Sequence, residues 1–368
     1  MPSSSRVNRL LRLHAANCLE CGRCVRECGF LQQYGSPKAI AASWQPDTSS
    51  GQRLPFNCSL CGLCAAVCPP GIGLNPAAMF LAMRRQVVQN GAAPFPEHRR
   101  LLAYERRSVS SRYSCFALPE NCDTVLFPGC AFAGTRPARL MELFRHLRPK
   151  IPGLGIVLSC CAKPSHNLGR QDFFMNKFGA LQQKLIYRGV RRVLVLCPSC
   201  HTVFSRYGSP LHTEYVYTLL AEHPLPKQYR INKNRKVTVH DPCTTRQDSR
   251  IHETVRRILG AVAARVEEPA CTREKTICCG EGGAVSFFDK KLARNWGNRR
   301  CQETQGQITV TYCAGCVDFL RSRMRIIHLL DLLFAPEAAL AGKLNIARPP
   351  FTYLNRLLLK RRLKKMPL

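Results

Sequence analysis

The segment Ile277-Cys278-Cys279-Gly280-Glu281-Gly282-Gly283 decides how the rest of the chain is interpreted. Two adjacent cysteines cannot readily form a disulfide with each other, because the closed ring would strain the planar peptide link between them. Their partners must lie elsewhere. The chain offers Cys243, with 34 residues between it and the pair, and Cys313-Ala-Gly-Cys316, which begins after a further 33 residues. Five thiols therefore fall into three groups.

Each group follows a short apolar segment, at Lys236–Val239, 276–277 and 308–312. Such segments indicate buried strands, and the turns after parallel strands converge at one edge of a sheet. Five thiols at one edge indicate a metal site. Glycines around the pair would let the backbone approach a bulky inorganic group.

The same pattern occurs earlier in the chain. Apolar segments at 125–127, Gly155–Leu158 and 192–196 precede a second set of thiols: Cys130, Cys160, Cys161, Cys197 and Cys200. The offsets between the two sets are 113 (Cys130 to Cys243), 118 (Cys160 to Cys278) and 116 (Cys197 to Cys313). Offsets this regular predict an internal duplication.

Two four-cysteine motifs precede both sets. Their members are Cys18, Cys21, Cys24 and Cys28, and then Cys58, Cys61, Cys64 and Cys68, which Pro69 follows. This spacing is typical of ferredoxins with two [4Fe–4S] clusters, in which the fourth ligand of each cluster comes from the other motif. Cys68 is therefore expected to join Cys18, Cys21 and Cys24, and Cys28 to join the second motif. The alternative is a pair of zinc sites, which usually take two Cys-x-x-Cys pairs each.

Length, cysteine content and net charge narrow the class of protein to which the chain can belong. The 368 residues include 22 cysteines, and the start of the chain has no apolar signal segment. A cytoplasmic location would keep the thiols reduced and available to metals. The net charge of +32 predicts an acidic partner, an anionic membrane surface or an anionic substrate. Nucleic acid is a further alternative, although no known nucleic-acid-binding motif accompanies the charge.

The order of the motifs predicts five segments: an α-helical two-cluster domain at 1–95, a linker rich in Pro, Ser and Arg at 96–122, modules at 123–235 and 236–334, and a tail at 335–368. Alternating strands and helices in the modules predict an α/β class with a largely parallel sheet. The fold class is thus multidomain, a helical domain followed by a duplicated α/β domain. Predicted helices include 38–44, 77–89, 136–148, 173–187, 251–259, 292–303 and 317–334.

Residues 351–368 contain six basic residues, no acidic residue and several leucines. One interpretation is a basic amphipathic segment that lies on the inner face of a membrane or on a partner protein. The other is a solvated tail. Four cysteines fall outside the repeated pattern and are interpreted as ordinary thiols: Cys115, Cys122, Cys271 and Cys301.

Two ferredoxin motifs followed by two Cys…Cys-Cys…Cys-x-x-Cys modules resemble the cysteine-rich "CCG domain" iron–sulfur proteins. This group includes the B- and C-type subunits of heterodisulfide reductase and the iron–sulfur subunits of glycolate oxidase and anaerobic glycerol-3-phosphate dehydrogenase. The resemblance covers residues 17–334. It implies one or two noncubane [4Fe–4S] clusters that cleave a disulfide, with catalytic ligands Cys243, Cys278, Cys279, Cys313 and Cys316 in the second module. The first module would supply its own five thiols, but Ala162 replaces the glycine after the pair and its first spacing is 29 residues.

Three functions remain in view. The first is an oxidoreductase subunit that passes electrons from the two cubanes to the CCG clusters and reduces a disulfide, with Lys163 and Arg246 as candidate contacts for an anionic substrate. The second is an electron relay that connects a flavin dehydrogenase with a quinone-linked membrane partner. A redox partner is expected in both, because the chain has no clear Gly-x-Gly-x-x-Gly fingerprint for its own flavin or nicotinamide. The third is a nucleic-acid binder with structural clusters.

Overall fold

The N-terminal part of the molecule is helical. The computed structural model describes residues 3–225, 235–262 and 265–366. The first eight helices are α1 (Ser3–Asn17), α2 (Arg23–Glu27), α3 (Gly29–Tyr34), α4 (Pro37–Ser43), α5 (Ser49–Arg53), α6 (Leu63–Ala66), α7 (Pro76–Gln89) and α8 (Arg99–Val109). Side-chain caps fix the starts of α4, α5 and α7. Ser36 accepts from the Ala39 amide and Asn75 from the Ala78 amide, each just before a proline at the first helical position.

A five-stranded sheet follows. Its strands are β1 (Cys115–Ala117), β2 (Thr124–Phe127), β3 (Gly155–Leu158), β4 (Arg192–Val195) and β5 (His212–Tyr215), in the order β1-β3-β2-β4-β5. Strand β1 is antiparallel to β3, and the other pairs are parallel. The helices of this part are α9 (Cys130–Thr135), α10 (Pro137–Leu147), α11 (Lys163–Asn167), α12 (Gln171–Tyr187), α13 (Pro198–Tyr207) and α14 (Val216–Glu222).

A second, parallel sheet is built from the residues that follow. Its order is β7-β6-β8-β9, from strands β6 (Lys236–Val239), β7 (Arg265–Glu267), β8 (Thr309–Thr311) and β9 (Ile326–His328). This order repeats the order β3-β2-β4-β5 of the first sheet. The remaining helices are α15 (Ser249–Ala261), α16 (Val285–Phe288), α17 (Lys290–Thr304), α18 (Ala314–Leu320), α19 (Leu329–Phe334), α20 (Pro336–Leu340) and α21 (Phe351–Lys364).

Three local predictions were wrong. Residues 276–277 form no strand. The strand at that place in the sheet is β7, which begins eleven residues earlier in the chain. The single helix predicted for 317–334 is helix α18, strand β9 and helix α19, because the buried segment Ile326–His328 pairs with β8. The predicted linker at 96–122 contains helix α8 and strand β1, which extends the first sheet.

The two sheets share one core. A single buried apolar cluster includes Leu126 and Leu194 of the first sheet together with Val237 and Val310 of the second. Polar contacts reinforce this interface: the Tyr217 hydroxyl donates to the Tyr312 carbonyl at 3.2 Å. A buried ion pair between Arg136 and Asp331, with 2.6 Å between Nε and Oδ2, crosses the same interface. The sheets are therefore fixed relative to each other.

Arg84 joins the helical domain to both sheets. Its side chain is fully buried and donates to the carbonyl oxygens of Pro55 (2.9 Å), Cys58 (2.5 Å), Asn167 (2.7 Å) and Gly283 (2.7 Å). Asn167 follows the first cysteine pair and Gly283 follows the second. One guanidinium group thus positions the helical domain against both cysteine-pair loops.

The C-terminal helix α21 packs on the molecule and is not a frayed tail. Arg356 is buried and donates to the Ser108 hydroxyl at 2.6 Å, and Asn355 donates to the Gly134 carbonyl at 2.9 Å. Its opposite face exposes Phe351, Leu354 and Leu358. Within the described ranges, no helix is both long enough and apolar enough to span a membrane.

Candidate metal centres

The eight cysteines of the N-terminal motifs lie in two groups. Burial raises the pKa of Cys24 to about 11, and the charges of Cys18, Cys21 and Cys68 add to this rise. Burial also raises the pKa of Cys58 to about 12 against the opposing charge of Arg84, with Cys28 and Cys61 adding to it. Cys68 therefore lies beside Cys18, Cys21 and Cys24 of the first motif, and Cys28 lies beside Cys58 and Cys61 of the second. The assignment of the ligands to two clusters, Cys18, Cys21, Cys24 and Cys68, and then Cys28, Cys58, Cys61 and Cys64, stays a prediction.

The second of these groups lies against the Cys278–Cys279 loop. The Cys61 thiol interacts directly with the Cys278 thiol, which is the largest influence that raises the pKa of Cys61. A Cβ atom on Gly282 would lie 2.6 Å from the Ser59 carbonyl oxygen, and one on Gly283 would lie 2.6 Å from the Cys58 carbonyl oxygen. These two glycines therefore allow one cysteine loop to pack on the other.

Arg246, suggested by its position as a substrate contact, has a different role. It is buried and donates to the Cys61 carbonyl at 3.0 Å and to the Thr276 carbonyl at 2.7 Å, as well as to the Glu274 carbonyl. With its donors directed at backbone carbonyls, the guanidinium group holds the Cys61 loop next to the second cysteine pair.

In each module the five thiols contact one another in the same order. In the first, Cys130 contacts Cys160 with 3.8 Å between the sulfur atoms, and Cys161, Cys200 and Cys197 follow in turn. In the second, the corresponding order is Cys243, Cys278, Cys279, Cys316 and Cys313. Hydrogen bonds from the flanking Cys160 and Cys200 thiols lower the pKa of Cys161 to about 6. The flanking Cys278 and Cys316 thiols likewise hold the pKa of Cys279 well below its usual range.

One cavity of about 250 Å³ lies between the modules, and nine of these ten thiols line it. The tenth, Cys278, is fully buried beneath it, beside Cys61 and Cys243. Lys163 and Glu281 also line the cavity, each two residues after the second cysteine of its pair. Glu281 is exposed to the cavity, and the reduced hydration of a carboxylate inside it raises the pKa of Glu281 to about 8, with the Cys279 charge contributing.

The backbone conformation of the residue after each cysteine pair explains why Ala162 can replace glycine in the first module. Gly280 has φ 107°, and a Cβ atom there would lie 2.3 Å from the Ala293 carbonyl oxygen and 2.4 Å from the Phe319 ring. Ala162 has φ 56°, in the left-handed region that a non-glycine residue can adopt at modest cost. Only the second module therefore requires glycine at this position.

The buried thiols fit an iron–sulfur centre. Thiolates are the ligands of such clusters, and a bound cationic centre offsets the burial that otherwise keeps most of these thiols protonated. All 22 cysteines are free. Those outside the pattern make ordinary contacts: Cys122 donates to the Thr124 carbonyl at 3.3 Å, and Cys301 to the Arg323 carbonyl at 3.2 Å.

Two residues near the thiols, Tyr104 and Arg84, were missed from the sequence, and the role of a third, His240, was not predicted. Tyr104 interacts with the Cys130 thiol and lines the cavity, but it lies in the segment interpreted as a linker. Arg84 lies on the buried, largely apolar face of α7. An arginine is unusual on such a face, but nothing else in the sequence indicates its role. His240 begins the motif His240-Asp-Pro-Cys243, and one of its ring nitrogens and the Cys279 and Cys316 sulfur atoms lie within 4.8 Å of one another.

Comparisons with known proteins agree with this organisation. Residues 17–73 match a 4Fe-4S dicluster domain, and residues 124–205 and 237–321 each match the cysteine-rich domain CCG. A subunit of the fumarate reductase (CoM/CoB) of Methanothermobacter marburgensis is 23% identical, over 87% of this chain and 72% of that protein. A subunit of the dihydromethanophenazine:CoB–CoM heterodisulfide reductase of Methanosarcina barkeri is 24% identical, over 88% of this chain and 94% of that protein.

Among solved structures, Picrophilus torridus aspartate racemase aligns with a TM-score of 0.29 and 12% identity over 63% of this chain and 98% of that chain. That similarity is too weak to indicate a common fold. The domain matches, in contrast, cover both the ferredoxin motifs and the two thiol sets. The chain belongs to the CCG-domain iron–sulfur proteins, and it is an electron-transfer protein related to this heterodisulfide reductase component.

Proposed function

We propose that the cavity between the two modules is the place where a disulfide or similar two-electron acceptor is reduced. The observation that carries this proposal is the convergence of nine cysteine thiols from both modules on one cavity, with the tenth directly beneath it. Clusters held by the two thiol sets would occupy this cavity and lie side by side. Two neighbouring centres suit a reaction that takes two electrons one at a time.

The ligand sets that we propose are the two crosswise ferredoxin groups and the two groups of five thiols. The matched strand order and the matched order of thiol neighbours support an origin by duplication. When bound, the clusters would supply the electrons singly, and two electrons with two protons convert one sulfur–sulfur bond into two thiols. The polypeptide contributes ligands, a shielded cavity, and one cation (Lys163) and one carboxyl group (Glu281) that orient the substrate.

The position of Cys61 supports the second ferredoxin group as the donor to the second module. Short distances favour electron transfer, and Arg84 and Arg246 both fix the loop that carries Cys58 and Cys61 against the cysteine-pair loop. The electrons must come from a reduced partner, because the chain has no nucleotide-binding fingerprint. The relatives are named as subunits, and we propose a flavin dehydrogenase or a quinone-linked protein as the partner of this chain.

The exposed apolar face of α21 supports a second function, a relay between two partner proteins without a substrate of its own. Phe351, Leu354 and Leu358 lie on one side of a helix that also carries five basic residues. Such a face suits a partner protein or the headgroups of an anionic membrane. The relay requires the ferredoxin groups but not the cavity.

Iron and acid-labile sulfide per chain, measured on anaerobically purified protein, separate these functions. About 8 iron atoms would mean that only the two ferredoxin groups are filled, and the relay would stand. About 12 to 16 iron atoms, with an additional EPR signal after partial oxidation that changes on addition of thiols, are expected for disulfide chemistry.

Two serine variants sharpen this measurement. Cys278→Ser should lose the additional signal and the reduction of small disulfides by a chemical reductant, while the ferredoxin signals remain. Cys301→Ser, at a cysteine outside the pattern, is the matched control and should behave like the unmodified protein. Unchanged disulfide reduction in Cys278→Ser would exclude the proposed site.

A further inference from the structure

His240 is a buried polar residue whose ring nitrogens have no hydrogen-bond partner of normal geometry among the described residues. It is completely inaccessible to solvent, and its ring lies next to the Cys279 thiol, whose pKa it helps to lower. Leaving ring nitrogens without well-formed hydrogen bonds in the interior costs stability, because the lost hydrogen bonds to water are not replaced. A residue kept there at such cost is expected to have a partner in the working protein.

The groups around His240 restrict what that partner can be. Arg300 is its cationic neighbour, but the guanidinium group donates to the carbonyl oxygens of Val239 (2.9 Å) and Cys271 (2.7 Å) and has no lone pair to accept the ring N–H. The sulfur atoms of Cys279 and Cys316, in contrast, are acceptors, and both lie within 4.8 Å of a ring nitrogen. A small side-chain rotation would turn this proximity into an N–H···S contact.

The position of the first module that matches His240 holds no such donor. Phe127 lies three residues before Cys130, as His240 lies three residues before Cys243. Phe127 ends β2 and His240 directly follows β6. Phe127 belongs to the same buried cluster as Cys161 and Cys200, the counterparts of Cys279 and Cys316. Its ring packs on Phe204, with 5.0 Å between the ring centroids. The two thiol sets therefore match in their ligands but differ in this neighbour.

We propose that His240 donates a hydrogen bond to the Cys279 thiolate and makes the second CCG centre the one with the higher reduction potential. A hydrogen bond to a ligand sulfur stabilises the more negative, reduced form of a cluster more than the oxidised form. His240 is thus a positioning and tuning residue, not a ligand. The inference rests on the proposed function only in that the second module must hold a cluster.

The consequence is a direction for electrons inside the molecule. The second module is also the one that Cys61 contacts, so its centre would be both the nearest acceptor for the ferredoxin group and the stronger oxidant of the two CCG centres. With Phe127 in place of a donor, the first centre would be the stronger reductant. Two centres of unequal potential that face one cavity can deliver two electrons in separate steps.

The test is an exchange of the two residues, His240→Phe and Phe127→His, in the full-length protein loaded with clusters. Iron content, EPR-monitored redox titration, and ENDOR of the second centre in H₂O and in D₂O are measured for each variant. His240→Phe should keep its iron, lower the midpoint potential of the second centre and remove an exchangeable proton coupling. His240→Gln, which retains an N–H donor, should restore part of the shift. Phe127→His should raise the potential of the first centre.

His252→Gln is the matched control, because His252 is a buried histidine of the same module whose Nε2 lies 3.4 Å from the Thr245 hydroxyl. Its potentials should equal those of the unmodified protein. Equal potentials and proton couplings in His240→Phe would overturn the inference. So would a strong ¹⁴N coupling in the unmodified protein with loss of iron in His240→Phe, since His240 would then be a ligand. If the unmodified protein contains only about 8 iron atoms, the proposed function itself fails and this inference falls with it.

Discussion

Lys163 and Glu281 are equivalent residues of the two modules, yet they carry opposite charges. Lys163 makes no hydrogen bond or ion pair within the described ranges, and burial lowers its pKa despite the attraction of Cys161 and Cys243. A cation so placed can hold an anionic group of a substrate. Lys163→Gln should therefore weaken the binding of 3-mercaptopropionate about tenfold, on the order of 1.4 kcal/mol. Thiol titrations of the additional EPR signal measure this change.

Two controls define the role of that charge. The neutral thiol 2-mercaptoethanol should bind equally well to the Lys163→Gln variant and to the unmodified protein. Lys177→Gln, at an exposed lysine on α12, should leave the binding of both thiols unchanged. An equal loss for the neutral and the anionic thiol would show that Lys163 maintains the shape of the cavity and does not recognise charge.

His98 makes the stability of the protein depend on pH. Its ring is 1% exposed, stacks on Phe288 with 5.4 Å between the centroids, and leaves Nδ1 without a partner. Burial lowers the pKa of His98 from 6.5 to about 4, and the charge of Arg84 adds to this. The unfolded chain therefore binds a proton before the folded protein does, so stability is fully present above about pH 6.5 and is lost as the pH falls toward 4.

His98→Phe should remove this component. Between about pH 7.5 and about pH 5.5, the unmodified protein should lose about 1.3 kcal/mol more of its unfolding free energy than the variant does. Urea unfolding at the two pH values gives the difference. His223→Gln, at an exposed histidine, should retain the acid dependence of the unmodified protein. Parallel pH dependence in His98→Phe and the unmodified protein would contradict the expectation.

At the scale of single elements, α21 has two faces with different tasks. Arg356 and Asn355 fix its inner face to the molecule, while Leu354 and Leu358 are each 49% exposed. Replacing both leucines by serine should reduce co-sedimentation with anionic vesicles about tenfold, because two half-exposed leucines contribute on the order of 1–2 kcal/mol when they enter an apolar phase. Tyr187→Ser, at the 88% exposed Tyr187, is the control. If all three proteins sediment equally, binding of this face to a membrane is excluded and a protein partner remains as its occupant.

The elements that were predictable from the sequence are those with local signals. Asn75-Pro76 at its start predicts helix α7 within one residue of its observed start. Strand β9 could not be predicted in this way, because Ile326–His328 continues an apolar pattern that also fits a helix and becomes a strand only through pairing with β8. Helix α8 was missed because its arginine-rich sequence resembles a linker. Its burial depends on contacts of Ser108 with Arg356 and of Glu105 with Ser165, which are far away in the sequence.

The thiol groups illustrate the same limit at the site. The spacing of the cysteines predicts which thiols lie together in each group, because neighbouring ligands on tight turns are local features. It does not predict that the two groups of five share a cavity, since this depends on how the two sheets pack. The contacts of Arg246 with Cys61 and of His240 with Cys279 likewise join segments that are far apart in sequence.

At the scale of the whole molecule, Arg84 determines how the three parts are held together. Its guanidinium group satisfies four carbonyl oxygens from the helical domain, the first module and the second module. Arg84→Met would leave these buried acceptors unpaired and should lower the unfolding free energy by on the order of 3–5 kcal/mol. Arg85→Met is the control: its side chain is directed to Tyr207 and makes none of these contacts, so a loss of about 1 kcal/mol is expected.

The same substitution also tests whether the helical domain feeds electrons into the modules. Because Arg84 holds Cys58 and Gly283 together, Arg84→Met should widen the separation between the second ferredoxin group and the Cys278–Cys279 loop while leaving each set of thiols intact. Iron content should then stay unchanged, while reduction of the additional EPR signal, followed by freeze-quench after mixing with dithionite, becomes slower. An unchanged rate with a lowered unfolding free energy would mean that Arg84 stabilises the assembly only, and that electrons reach the second module by a route that does not pass through Cys61.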